Sequence, residues 1–133
     1  MRKNRITPRV LVVDDEKTIG DTLAIILKMH GFEAHAVYSG EAAVERVESF
    51  APDILLSDII MQPMDGIEAA QRVQEVKPEC RIVLFSGALI DEPSWLAIQE
   101  HGFEYLGKPL HPENLVTHLK TAGEILRMEA SIQ

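Results

Sequence analysis

The chain has 133 residues, of which 46% are hydrophobic and 26% charged, so it can form one globular domain with a sizeable core. The formal net charge of −8 argues against a nucleic-acid-binding surface, and no apolar run approaches the roughly 18 residues that span a membrane. A single cysteine, Cys80, excludes an internal disulfide and fits a reducing compartment, so a cytoplasmic protein is expected.

The first half of the chain alternates short apolar runs with helical patterns. Residues 10–13 form a β-branched run that predicts a buried strand, and a helical pattern follows it as far as Gly31. A second strand is expected over residues 33–37, after which Ser39 is a candidate N-cap for the second helix. Pro52 ends that helix, and the apolar residues within 53–57 predict the third strand.

The second half repeats the alternation. A third helix is predicted from about Ile67 until just before Pro78, and a fourth strand over residues 81–85. A short helix with Pro93 in its first turn precedes a fifth strand over 103–106, and a last helix begins near Pro112. Five closely spaced βα units predict one α/β domain, a doubly wound parallel sheet with helices on both faces.

Polar residues stand where the predicted strands end, and three of them are acids. Asp14 and Asp15 follow the first strand, and Asp58 follows the third. Because parallel strands present their carboxyl ends at one edge, these side chains are expected to meet there. The resulting repulsion requires protons or a cation, and Mg²⁺ suits three carboxylates. A carboxylate in such a site can also act as a nucleophile that forms an acyl phosphate, whereas Asp14 or Asp15 alone would be explained as a helix cap.

Two further strand-end residues suit an anion. Lys108 precedes Pro109, which favours an extended backbone from which the ammonium group can reach the sheet edge. Ser86, at the end of the fourth strand, can donate a hydrogen bond to the same anion. The alternatives are a solvated surface lysine and a serine that merely belongs to a turn.

Several short motifs then occur in a characteristic order: Val12-Val13-Asp14-Asp15-Glu16, Leu56-Ser57-Asp58, Met64-Asp65-Gly66, Ser86-Gly87-Ala88 and Lys108-Pro109. With these intervals and the βα rhythm, the chain resembles a response-regulator receiver domain from about Arg9 to Arg127. The resemblance implies a five-stranded parallel sheet of flavodoxin-like order 2-1-3-4-5. The expected division is a basic tail over 1–8, the receiver domain over 9–127, and a tail or the beginning of a linker over 128–133.

The resemblance also implies a phosphoryl-transfer site. Asp58 matches the phosphoacceptor, which takes a phosphoryl group from a histidine kinase or a histidine phosphotransfer domain in a Mg²⁺-dependent reaction. Asp14 and Asp15 match the acidic pair that binds Mg²⁺ together with Asp58. The backbone carbonyl of Ile60 matches the remaining protein ligand.

The remaining matched residues imply a conformational switch. Ser86 matches the switch hydroxyl, Lys108 the lysine that pairs with phosphoryl oxygens, and Tyr105 an aromatic that moves inward. Such a domain catalyses its own phosphorylation and slow dephosphorylation and is not a turnover enzyme. Helix 4, strand 5 and helix 5 are the expected relay surface, with a homodimer as one use of it, and Trp95 either anchors helix 4 or belongs to that surface.

Three departures from the family pattern keep alternatives open. Pro63 stands one place later than usual in the loop after Asp58, and the bulky Phe103 stands where a small residue is common. Ala88 and Ile60 are apolar at positions that flank the path of attacking water, which predicts slow hydrolysis. A phosphorylation-independent receiver-like interaction module is the main alternative, and a Mg²⁺-dependent phosphatase with an aspartate nucleophile is a more distant one.

Overall fold

The computed structural model describes residues 7–107 and 109–121, in which strands and helices alternate. The elements are β1 (Arg9–Val13), α1 (Lys17–Met29), β2 (Glu33–Val37), α2 (Gly40–Phe50), β3 (Ile54–Asp58), α3 (Gly66–Val76), β4 (Arg81–Ser86), α4 (Glu92–Glu100), β5 (Glu104–Gly107) and α5 over 112–121. Each predicted strand is confirmed to within one residue at either end. Within the described ranges, no helix is both long and apolar enough to cross a membrane.

All five strands are parallel and lie in the order β2-β1-β3-β4-β5, which confirms the expected sheet. The register pairs Val13 of β1 with Ser57 of β3, and Ser86 of β4 with Gly107 of β5. The strands therefore end almost level with one another. The residues at or just after those ends share one edge of the sheet.

The sheet is buried on both faces. The cluster on one face includes Leu11, Leu55 and Leu84 with apolar residues of α2, α3 and α4, and that on the other includes Val12, Leu56 and Phe85 with residues of α1 and α5. Alternate strand residues therefore enter opposite clusters, as the pleat of a strand requires. Cys80 and the bulky Phe103 belong to the first cluster, where both are buried.

Side-chain caps fix the beginnings of three helices. The predicted N-cap Ser39 is confirmed, because its Oγ accepts the Ala42 N–H at 3.0 Å. Asp65 and Asp91 do the same for α3 and α4, with Oδ1 accepting a backbone N–H at 2.9 and 2.8 Å. The bond from Ser94 also lowers the pKa of Asp91, since it favours the charged carboxylate.

Cations from distant parts of the chain complete the C-terminus of α2. The last carbonyl groups of a helix have no partner within it. Here Arg9 donates from Nη1 to the carbonyl of Phe50, the last residue of α2, at 2.7 Å, and Lys77 donates from Nζ to the carbonyl of Pro52, which follows the C-cap residue Ala51. Lys77 is buried, and its Nζ lies 3.8 Å from Oδ1 of Asp53. These bonds tie the amino-terminal edge of the sheet to α2 and to the end of α3.

Candidate functional site

Three carboxylates meet at the carboxyl-terminal edge of the sheet. Asp14 and Asp15 follow β1, Asp58 is the last residue of β3, and one oxygen of each lies within 4.8 Å of the others. Asp14 is completely buried and Asp58 nearly so, whereas Asp15 is exposed. The structure thus brings together the three acids whose positions at strand ends were noted in the sequence.

The turn after β1 is built around Asp14. Its N–H donates to the Val37 carbonyl at 3.2 Å, and its Oδ1 accepts the Glu16 N–H at 2.9 Å. The N-cap residue of α1 is Glu16, which makes no side-chain capping bond. Neither Asp14 nor Asp15 occupies the N-cap position, so a simple helix cap does not account for the pair.

Asp58 is held at the end of the most deeply buried strand. It pairs with Phe85 of β4, and the next residue, Ile59, donates its N–H to the Phe85 carbonyl at 2.9 Å. The chain then turns so that the Ile60 N–H donates to Oδ1 of Asp58 at 3.2 Å. The Ser57 hydroxyl donates to the Asp58 carbonyl at 2.9 Å. Both the backbone and the carboxylate of Asp58 therefore have defined orientations.

The first residue of α3 approaches this strand end very closely. Gly66 donates its N–H to the Ile59 carbonyl at 2.9 Å. A Cβ at Gly66 would lie 2.0 Å from the carbonyl oxygen of Asp58. That oxygen belongs to the backbone, so no flexible side chain can move aside to relieve the clash. Only glycine fits without displacing the backbone of Asp58. The sequence contained a signal for this contact, a glycine directly after the capping Asp65, but its reason could be seen only in the structure.

The donor set fits a hard divalent cation. Three carboxylates at this separation repel one another, and burial of Asp14 and Asp58 strengthens that repulsion. All three offer oxygen, the ligand that Mg²⁺ and Ca²⁺ take, and none offers the nitrogen or sulfur that softer metals prefer. The exposed Asp15 opens the cluster to solvent on one side. The arrangement can hold a metal ion and leave coordination positions for a ligand.

The loop after Asp58 carries the displaced proline. Ile60 is 55% exposed, whereas the neighbouring Met61 is buried in the core cluster. The Gln62–Pro63 peptide bond is cis, and the loop ends at the capping Asp65. The loop therefore turns the Ile60 side chain toward solvent and the Met61 side chain into the core.

Ser86 ends β4 at the same edge of the sheet. The residue is buried, and its Oγ lies 3.2 Å from the Ala88 nitrogen and 3.3 Å from the Ala88 oxygen. In this state the hydroxyl holds the turn after β4, as a turn serine would. Lys108 lies outside the described residues, so its place in the site stays a prediction.

Tyr105 lies on β5, beside Leu84 of β4. Its ring is partly buried against the core cluster and meets the ring of Trp95 edge-on, with centroids 5.5 Å apart and planes at 88°. Trp95 is 40% exposed, so it both contacts β5 and contributes to the surface of α4.

Comparisons of the sequence and of the structure with known proteins both match receiver domains. The sequence model of the response regulator receiver domain matches residues 10–120. A CheY-like receiver domain protein from Methanospirillum hungatei JF-1 is 22% identical, with a TM-score of 0.86 over 92% of this chain and 98% of that chain. The receiver domain of a modulated diguanylate cyclase from Desulfovibrio desulfuricans G20 is 28% identical, with a TM-score of 0.80 and the same coverage of 92% and 98%. The BeF3-activated receiver domain of DrrB is 27% identical, with a TM-score of 0.74 over 86% and 96% of the two chains.

Proposed function

Because the chain belongs to the response regulator receiver domain family, we propose that it accepts a phosphoryl group on Asp58 and thereby controls a partner or an output domain. The donor is the phosphohistidine of a histidine kinase or of a histidine phosphotransfer domain. The observation that carries this proposal is the cluster of Asp58 with Asp14 and Asp15, whose carboxylate oxygens lie within 4.8 Å of one another.

The three acids would hold Mg²⁺, with the backbone carbonyl of Ile60 as a further ligand. This assignment rests on the oxygen-only donor set and on the repulsion that a cation relieves. When bound, Mg²⁺ supplies positive charge that offsets the charge of the phosphoryl oxygens. Asp14 and Asp15 serve to place that charge beside Asp58.

Transfer requires positioning more than covalent work by other side chains. A carboxylate oxygen of Asp58 forms the bond to phosphorus while the bond from phosphorus to the donor's imidazole nitrogen breaks, and the electron pair leaves with the imidazole. The Ile60 N–H, which donates to Oδ1 of Asp58 at 3.2 Å, helps to orient the nucleophile. Lys108 is proposed to pair with the phosphoryl oxygens.

Ser86 and Tyr105 are proposed to convert this event into a conformational change. The Ala88 N–H donates to the Ser86 hydroxyl at 3.2 Å, and that hydroxyl lies 3.3 Å from the Ala88 carbonyl oxygen, which is long for an O–H···O hydrogen bond. A phosphoryl group with nearly two negative charges offers stronger acceptors. Movement of Ser86 toward it would vacate space into which the partly buried Tyr105 turns, which makes a two-state element.

The surface that would report this change carries exposed apolar side chains. Trp95 and Leu96 of α4 are 40% and 48% exposed, Leu89 in the loop before α4 is 99% exposed, and Trp95 contacts Tyr105 directly. We propose that the face formed by α4, β5 and α5 binds the output partner or a second copy of the chain. An apolar patch of this kind is typical of an interaction site.

Hydrolysis of the acyl phosphate is expected to be slow. The side chains of Ile60 and Ala88 have no polar group with which to orient an attacking water. The half-life of phosphorylated Asp58, followed by mass spectrometry after the donor is removed, should therefore exceed minutes, and Ile60→Asn should shorten it. A half-life of seconds in the unaltered protein would contradict this prediction.

The central test is phosphorylation itself. Incubation with Mg²⁺ and acetyl phosphate should add one phosphoryl group, and EDTA or Asp58→Asn should prevent the addition. Asp65→Asn is the matched control, because Asp65 lies outside the acidic cluster and Asn also serves as an N-cap. An adduct that persists in Asp58→Asn would overturn the assignment of the phosphoacceptor. Absence of an adduct in the unaltered protein would favour the phosphorylation-independent module.

A further inference from the structure

The strand β2 ends the sheet and has β1 as its one neighbour among the described strands. The Val37 carbonyl accepts a hydrogen bond from the Asp14 N–H on the β1 side. The main-chain groups of successive strand residues point to opposite sides. Those of Ala34 and Ala36 therefore point away from β1; Ala36 is partly exposed, and the exposed Tyr38 follows directly after the strand.

A groove of about 370 Å³ lies along this edge. It extends from α1 across β2 to α2, and the residues that line it are Asp21, Ala24, Ile25, Lys28, His35, Ala36, Tyr38 and Arg46. Ile25 is 56% exposed, so the α1 side of the groove has a short apolar wall of Ala24 and Ile25, flanked along the helix by the charged Asp21 and Lys28. The groove thus combines a strand edge with an apolar contact.

Cations flank the groove, although the chain as a whole has a net charge of −8. Lys28 lies on the α1 side and Arg46 on the α2 side. Arg46 places Nη2 2.7 Å from Nδ1 of His35, whose ring stacks on Phe50 at 4.4 Å. Desolvation, and then the nearby charges of Arg46, Lys28 and Arg9, lower the pKa of His35.

The acids beside this groove already have partners. Glu33, which faces His35, is paired with Arg9 at 3.1 Å. Asp21 accepts a hydrogen bond from the Tyr38 hydroxyl at 2.5 Å and lies 3.5 Å from Nζ of Lys17. That hydroxyl is the largest cause of the lowered pKa of Asp21. A ligand in the groove therefore meets a locally positive surface.

We propose that the β2 edge binds an extended acidic segment of a partner protein by strand addition. Side chains of an added strand alternate between the two faces of the sheet. On the α1 side they would meet Ile25 and Ala36, and on the α2 side they would meet His35 and Arg46. The fitting segment therefore alternates apolar residues with acidic residues. A free phosphate ion would use the cations alone and leave the strand edge and the apolar wall without a role.

The probe for this proposal is the peptide acetyl-Glu-Val-Glu-Val-Glu-Val-amide, added to isotopically labelled protein at pH 7 and low salt. We expect saturable shifts of the amide signals of Ala36 and Tyr38. Arg46→Glu, on the wall that faces the acidic side chains, should weaken binding about tenfold, and Lys28→Glu, on the opposite wall, should weaken it less. Arg72→Glu on α3 makes the same change of charge away from the groove and should leave the affinity unchanged.

A second peptide separates strand addition from simple attraction of charge. N-methylation of all the backbone amides of the peptide keeps the charge and removes every main-chain donor, whichever way the strand runs, so this peptide should not bind. The proposal would be overturned if the methylated peptide bound as tightly as the unmethylated one. It would also be overturned if sodium phosphate caused the same shifts, or if the unmethylated peptide caused none. Signals of Ala36 that change with protein concentration alone would also overturn it, in favour of a second copy of the chain.

Discussion

At the residue scale, the position of Asp58 depends on a contact from another element. Gly66 begins α3, and its Cα faces the backbone of Asp58 so closely that an added Cβ would lie 2.0 Å from the carbonyl oxygen. The backbone of β3 is central in the sheet and buried, so it has little freedom to move aside.

We predict that Gly66→Ala lowers the free energy of unfolding by about 1–3 kcal/mol, the range usual for overpacking, and slows phosphorylation of Asp58. Urea denaturation and the rate of phosphoryl addition measure the two effects. Gly40→Ala is the control, because the atoms nearest to a Cβ there belong to the side chain of Met64, at 3.0–3.1 Å, and not to the backbone. Equal losses in the two variants would show that the backbone contact is not decisive.

His35 should make stability depend on pH. Its pKa is lowered below the ordinary value of 6.5, first by desolvation and then by Arg46. The unfolded chain therefore binds a proton more readily than the folded protein, and stability falls as pH drops below about 6.5. When the pH is lowered from 7 to 5, the urea concentration at the midpoint of unfolding should decline less in His35→Gln than in the unaltered protein. His111→Gln, at an exposed position, is the control, and an unchanged decline in His35→Gln would contradict the prediction.

The proximity of Asp14, Asp15 and Asp58 was predictable from the sequence because one rule applies to all three. Polar residues at the ends of parallel strands meet at one edge, whatever their separation along the chain. The close approach of Gly66 could not be obtained in this way, since it depends on the path of the loop between β3 and α3. The groove beside β2 was also missed, because it requires the relative placement of two helices.

At the scale of the elements, the strands were predictable to within a residue because their apolar runs are short and bounded by turn residues. The third strand was placed one residue early, since Asp58 is polar yet continues the pairing with Phe85. The hydrogen bonds that Arg9 and Lys77 donate near the C-terminus of α2 were not predictable from the sequence. Nothing in the sequence singles out Lys77, and only the fold brings it to carbonyl groups about 25 residues away.

Replacement of Lys77 should therefore lower the free energy of unfolding. Lys77→Met removes the donor to the carbonyls of Ala51 and Pro52 and the cation near Asp53, all in a buried setting. We expect the free energy of unfolding to fall by about 1–3 kcal/mol, as for other buried polar groups that lose a partner. Lys120→Met, at an exposed position of α5, should have little effect in the same urea titration. Similar losses in both variants would argue against this role.

At the scale of the whole molecule, the acidic site joins the ends of β1 and β3 across the centre of the sheet. A metal that binds the folded protein and not the unfolded chain raises stability by about 2.7 kcal/mol at a concentration of 100 times its dissociation constant. The pocket should therefore couple metal binding to the stability of the entire domain.

We predict that Mg²⁺ raises the thermal midpoint of the unaltered protein and that Asp15→Asn removes most of this increase. Asp15 is the suitable target, since it is exposed and its replacement leaves the core intact. Glu16→Gln removes a neighbouring acid outside the cluster and should preserve the response. The prediction fails if Mg²⁺ stabilises Asp15→Asn as much as the unaltered protein.

The edge-on contact between Trp95 and Tyr105 has a practical consequence. The chain contains one tryptophan, so its intrinsic fluorescence arises from that contact and its surroundings. If Tyr105 turns inward after phosphorylation, the indole loses a neighbouring ring and its emission changes. Stopped-flow spectroscopy of the unlabelled protein could then time the change of state directly, and thereby separate the rate of chemistry at Asp58 from the rate at which the output surface responds.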